Sequence, residues 1–66
     1  MNLTVNGQTL EIEANITLDE LIEQLGVKEK IMAAAVNMRV IHKAEWKNFE
    51  LKESQKVELL GFVGGG

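Results

Sequence analysis

Cysteine and proline are both missing from this chain of 66 residues. Without cysteine there is no disulfide framework, no thiolate metal site and no side chain able to hold sulfur as a persulfide. Regular secondary structure must therefore supply the whole fold, and a hydrophobic content of 45% suffices for that. Histidine occurs once, as His42, with none of the Ser, Cys or second-carboxylate company that catalysis needs. A solvent-facing strand position is expected for it. Aromatics are scarce, and the single tryptophan, Trp46, is expected to pack in or beside the core rather than mark a ligand site. Seven basic residues stand against ten acidic ones. Lys28, Lys30, Arg39, Lys43, Lys47, Lys52 and Lys56 are scattered among glutamates and make no basic stripe, which argues against a nucleic-acid binder. No apolar run approaches the ~18–20 residues of a membrane span. The opening Met1-Asn2-Leu3-Thr4-Val5 alternates where a secretion signal would place charge and then a continuous apolar stretch. One small soluble domain, cytoplasmic and monomeric by itself, is the expectation.

What is present reads in order. Asn2 to Val5 alternates polar and apolar, Asn6-Gly7 is a type I′ turn signal, and Thr9 to Glu13 alternates again with Leu10 and Ile12 inward. That is a β-hairpin. Thr17 with Glu20 three places on forms a capping box, and Ile16 with Leu21 can staple the entry. Leu18, Leu21, Ile22 and Leu25 then share one helical face over about nine residues, while Asp19, Glu20 and Glu23 fall outward. Gly26 suits a left-handed C-terminal cap, with Val27 as its apolar contact. Ile31 to Val36 contains three alanines, the best helix formers. A strand is nevertheless expected, because Asn37-Met38-Arg39 follows as a turn into Val40-Ile41-His42 and small side chains suit a strand crowded under a helix. Lys43 to Asn48 reads as a single helical turn carrying Trp46, with Phe49 and Leu51 returning to the core. Val57 to Val63 closes the chain as a strongly apolar strand. One helix laid across a mixed sheet gives an α+β arrangement.

The last three residues are Gly64, Gly65 and Gly66. Glycine lacks Cβ and tolerates almost any backbone angle. Three of them extend roughly 10 Å at 3.3–3.6 Å per residue. The only functional group on such a thread is the Gly66 carboxylate, which a narrow active site of another protein can admit. A frayed terminus would have the same composition, so the tail alone does not decide.

The element order and the glycine end resemble the β-grasp, or ubiquitin-like, fold. Within it the chain resembles the ThiS family of sulfur carriers. The resemblance rests on the Asn6-Gly7 hairpin, the Thr17-Leu18-Asp19-Glu20-Leu21 helix start, Ala35-Val36-Asn37, the Lys43-Ala44-Glu45-Trp46 turn and the terminal glycines. It implies a β-grasp domain over residues 1–63 and a flexible tail over 64–66. It also implies a protein substrate rather than an enzyme. A ThiF/MoeB-like adenylyltransferase would use ATP and magnesium to adenylate Gly66, and a persulfide protein would supply sulfur to leave a thiocarboxylate. Thiazole synthase (ThiG) would receive that sulfur, and the chain itself would bind no cofactor. Family members need only two terminal glycines and this chain has three, so Gly66 carries the chemistry if it is the native end.

Docking is expected on the last strand. Alternation puts Val57, Leu59 and Gly61 on one face and Glu58, Leu60 and Phe62 on the other. Leu60 and Phe62, with Val63, Gly64 and Gly65, are the expected partner-binding residues. Glu11, Glu13, Glu20 and Glu23 lie on outward positions and read as a solvated surface, not as metal ligands. Three other readings share parts of this pattern. The carrier subunit of molybdopterin synthase (MoaD-like) shares the fold and terminus, but such carriers are longer and usually have proline before the glycines. A ubiquitin-like modifier would join Gly66 to a lysine of a target. A binding module with an incidental tail would lose nothing on removal of Gly65 and Gly66.

Overall fold

The computed structural model describes residues 1–61. Among these described residues, five strands form one mixed sheet, with a single α-helix across one face. In chain order the elements are β1 (Asn2–Val5), β2 (Gln8–Glu11), α1 (Leu18–Gln24), a 3-10 turn (Lys28–Lys30), β3 (Ile31–Val36), β4 (Arg39–Ile41), a 3-10 helix (Lys43–Asn48) and β5 (Lys56–Gly61). The spatial order is β2-β1-β5-β3-β4. The last strand therefore runs through the middle of the sheet, parallel to β1 and antiparallel to β3.

Local chemistry accounts for each element. Asn6 and Gly7 both take positive φ, at 48° and 84°, as a type I′ turn demands. Asn37 and Met38 do the same between β3 and β4, at 51° and 69°. The capping box at the start of α1 is complete: the Glu20 N–H donates to Thr17 Oγ1 at 3.2 Å, and the Thr17 N–H donates to Glu20 Oε1 at 2.8 Å. Gly26 turns left-handed with φ 72° and ends the helix.

Leu18, Leu21 and Ile22 from α1 are buried against Leu3, Val5, Val57, Ala34 and Val36 from the sheet, with Ile16, Ile31, Ile41, Trp46 and Leu51 completing the core. Leu10, Ile12, Val27, Phe49 and Leu59 pack around it half-buried. Trp46 is a core residue, as expected.

Several expectations need correction. The helix has seven residues instead of nine. Leu25 is consequently its cap, beyond the last full turn, and is 37% exposed where a buried position was expected. The short strand is Arg39–Ile41, one residue earlier than expected, and the exposed His42 caps the 3-10 helix instead of lying in a strand. Of the three alanines in β3, only Ala34 is buried towards the helix, so crowding under the helix explains one alanine and not the other two. The expected continuation of β5 through Phe62 and Val63 lies outside the described residues, as do Gly64, Gly65 and Gly66 and the tail boundary at 64.

Asp19 departs furthest from its expected place. Instead of facing outward it is 7% exposed. The 3-10 turn brings Lys28 back over the start of α1, so that Nζ lies 3.1 Å from Asp19 Oδ1 and 3.6 Å from Glu23 Oε2. A buried carboxylate needs such a partner. The hydrogen bond to Asp19 is the largest influence on Lys28 and raises its pKa above the ordinary lysine value of 10.5. A cation whose folded pKa is raised stabilises the fold fully below its unfolded pKa and ceases to do so as pH rises through the folded value. Asp19→Asn is thus expected to melt below wild type at pH 7, and the gap in Tm should narrow above about pH 10.5. Melting curves at pH 7 and above pH 11 check this. A constant gap would mean that Lys28 is not the partner that matters.

Candidate functional site

The sheet has two faces, and only one carries the helix. On the open face β5 places Leu60 opposite Ala33 and Glu58 opposite Ala35, and β4 places Val40 opposite Ala35. Leu60 is 68% exposed and Val40 is 61% exposed. Between them the two alanines are half-buried and leave a shallow groove of about 280 Å³, bordered also by Asn6. Met32, at the register shift between Ile31 and Ala33, is a further exposed apolar side chain of β3.

Toward β1 and β2 the same face changes character, with Thr4, Thr9, Asn2 and Glu11 as its paired residues. Apolar surface is therefore confined to the β5-β3-β4 half. An exposed apolar patch with a polar border is the usual mark of a protein contact.

This arrangement brings together part of what the sequence suggested. Leu60 points outward, as period-two alternation required, while Val57 and Leu59 face the helix. Phe62, Val63, Gly64, Gly65 and Gly66 belong to the same expected site but lie outside the described residues. Sequence reasoning missed Val40, Ala33 and Ala35. Their signal was the alanine run itself, which marks a floor low enough for Leu60 and Val40 to stand above it.

β5 reaches the end of the described chain under tight packing. At Gly61 an added Cβ would sit 2.9 Å from the Lys30 carbonyl oxygen, a backbone atom with little room to withdraw. Only glycine permits that approach.

The acidic residues weighed as metal ligands are engaged elsewhere. Glu20 closes the capping box, Glu13 accepts from Gln24 Nε2 at 3.0 Å and Glu23 lies against Lys28. Glu11 is exposed on β2. The described residues contain no group of three or more His, Asp or Glu placed to hold a metal ion, and no helix among them is long and apolar enough to cross a membrane.

The sequence profile of the ThiS family matches residues 3–66. The chain belongs to the ThiS family. It is 26% identical to the sulfur carrier protein ThiS of Escherichia coli, over the full length of both chains. It is 29% identical over all 66 residues to a thiazole synthase of Paramagnetospirillum magneticum, and 30% identical to one of Magnetococcus marinus. The chain spans 20% of the length of each of those two relatives. Among solved structures it resembles the crystal structure of the thiamine biosynthesis protein ThiS of Geobacter metallireducens, with a TM-score of 0.84 and 31% identity over the whole of both chains. That likeness carries the β-grasp assignment, and the five-stranded mixed sheet with one helix agrees with it.

Proposed function

We propose that this chain is a sulfur carrier for thiazole formation in thiamine biosynthesis. The supporting observation is the end-to-end match, in sequence and in fold, to ThiS proteins that are themselves no longer than a single β-grasp domain. A region matching the whole chain also forms part of two thiazole synthases. That favours thiazole synthase as the receiving partner, over the molybdopterin and protein-modifier alternatives.

The chemistry follows from the carboxylate. A free carboxylate is a poor acyl donor, so its oxygen first attacks the α-phosphorus of ATP on a ThiF/MoeB-like adenylyltransferase, releasing pyrophosphate and leaving Gly66 as an acyl-adenylate. Magnesium and ATP belong to that partner. A protein persulfide then attacks the acyl carbon and expels AMP, giving an acyl disulfide. A thiol attacks the sulfur bound to the persulfide protein, supplies the two electrons and releases the thiocarboxylate. The carrier contributes no sulfur nucleophile of its own, because it has no cysteine. Its parts are a terminus without side chains and an apolar docking face.

Intact-mass measurement tests the proposal. After incubation with the cognate activating enzyme, ATP and a persulfide donor, one oxygen of the full-length chain should be replaced by sulfur. A chain lacking Gly65 and Gly66 should stay unchanged. An unmodified wild type, with the enzyme shown active on another carrier, would overturn the reading.

A further inference from the structure

Of the five asparagines, Asn6 alone is followed by glycine; Leu3, Ile16, Met38 and Phe49 follow the others. That pairing has a chemistry of its own. A backbone nitrogen can attack the side-chain carbonyl of the asparagine before it and close a succinimide ring. A side chain on the attacking residue hinders the approach, and glycine has none.

The fold leaves this pair open to water and ties it at one place. Asn6 and Gly7 are both exposed, and nothing stands within 4 Å of where a Cβ on Gly7 would sit. Packing therefore does not shield the turn. The restraint comes from β5: the Leu59 N–H donates to Asn6 Oδ1 at 2.8 Å, and Asn6 Nδ2 donates to the Leu59 carbonyl at 3.4 Å. Asn37 offers a comparison within the same chain. It holds the matching place in the β3-β4 turn, with φ 51° against 48°, and its Oδ1 accepts from the Lys56 N–H at 2.8 Å. Met38 follows it instead of glycine.

We propose that Asn6 is a site of spontaneous deamidation, and that its hydrogen bond with Leu59 sets the rate in the folded chain. The Gly7 nitrogen bonds to Asn6 Cγ, the Cγ–Nδ2 bond breaks, and the Gly7 N–H proton leaves with Nδ2 as ammonia. Water then opens the ring at either carbonyl. One water enters, one ammonia leaves, and nothing is oxidised or reduced. The amide must leave Leu59 before its carbon can meet the Gly7 nitrogen. Opening at Cγ gives aspartate at position 6, which keeps an acceptor for the Leu59 N–H and loses the donor. It also puts a carboxylate on the border of the groove that Glu58 lines. Opening at the main-chain carbonyl gives isoaspartate and a backbone one carbon longer. That lengthens the two-residue turn that sets Val5 opposite Gln8, and register follows turn geometry.

Peptide mapping of the full chain after incubation in heavy-oxygen water, folded and in guanidinium chloride at one mildly alkaline pH, tests this. In denaturant Asn6 should take up label well before Asn37. In the folded chain Asn6 should convert at least about tenfold more slowly, because only the locally opened fraction reacts. Guanidinium below the unfolding midpoint should accelerate Asn6 conversion and hydrogen exchange at the Leu59 amide together. Met38→Gly creates a second Asn-Gly pair at a φ of 69° that glycine accepts, and in denaturant its Asn37 should convert as fast as Asn6. The isoaspartate form, separated by ion exchange, should melt below the Asn6→Asp variant. No conversion of Asn6 in denaturant would overturn the site, and an inert Asn37 in Met38→Gly would overturn glycine as its determinant. Equal rates in folded and unfolded chains, or acceleration of Leu59 exchange without Asn6 conversion, would overturn the restraint. An isoaspartate form melting with Asn6→Asp would overturn the effect on register.

Discussion

Trp46→Ala is expected to unfold much of the population at 37 °C. Trp46 is the largest fully buried side chain, 1% exposed, and it sits in the 3-10 helix that packs against α1. Its indole N–H donates to the Ile41 carbonyl at 2.9 Å, which satisfies a buried acceptor. Removing a buried Trp or Phe side chain costs about 3–5 kcal/mol. A domain of this length has a total stability of about 3–10 kcal/mol, at ~0.05–0.15 kcal/mol per residue. The loss is therefore comparable to the whole margin. Thermal melts followed by circular dichroism should show Tm lower by about 12 °C or more, at ~4 °C per kcal/mol. Trp46→Phe separates the two contributions. It retains most of the apolar volume and strands the Ile41 carbonyl, so its cost should be about 1–3 kcal/mol. A Trp46→Ala variant melting within a few degrees of wild type would show that the core does not depend on this residue.

Features that depend on neighbours in the chain were legible in the sequence. The capping box at Thr17 and Glu20, the Asn6-Gly7 turn and the alternation through Leu3 and Val5 each involve residues a few positions apart, and all three stand in the structure. The strand over Ile31–Val36 was legible against alanine propensity chiefly because the turn at Asn37 and Met38 follows it, since the crowding argument holds for Ala34 alone.

Other features depend on residues that the fold brings together from afar. Burial of Asp19 needs Lys28, nine residues on and beyond the reversal at Gly26. The hydrogen bond from the Leu59 N–H to Asn6 Oδ1 joins residues separated by 53 positions. Neither has a local signature. The candidate site divides in the same way. Outward exposure of Leu60 follows from period two, whereas its company with Ala33, Ala35 and Val40 follows from strand register.

Leu60→Asp should then separate docking from folding. Leu60 is 68% exposed, so the substitution should change stability by no more than about 0.5 kcal/mol, as surface changes usually do. In a complex the same position would be at the centre of the apolar half of the open face. A carboxylate there must be desolvated without a partner, and its neighbours Ala33 and Val40 offer no donor from their side chains. Loss of a central contact of this kind costs about 2–4 kcal/mol, which raises Kd about 30- to 700-fold. Titration calorimetry with the activating enzyme reads the effect directly. Thr9→Asp supplies the control, because Thr9 is exposed and pairs with Thr4 in the polar half of the sheet. It introduces the same charge and should change Kd less than about threefold, the range for rim positions. Equal weakening by the two variants would assign the effect to net charge, and unchanged affinity in Leu60→Asp would move the docking surface off this face altogether.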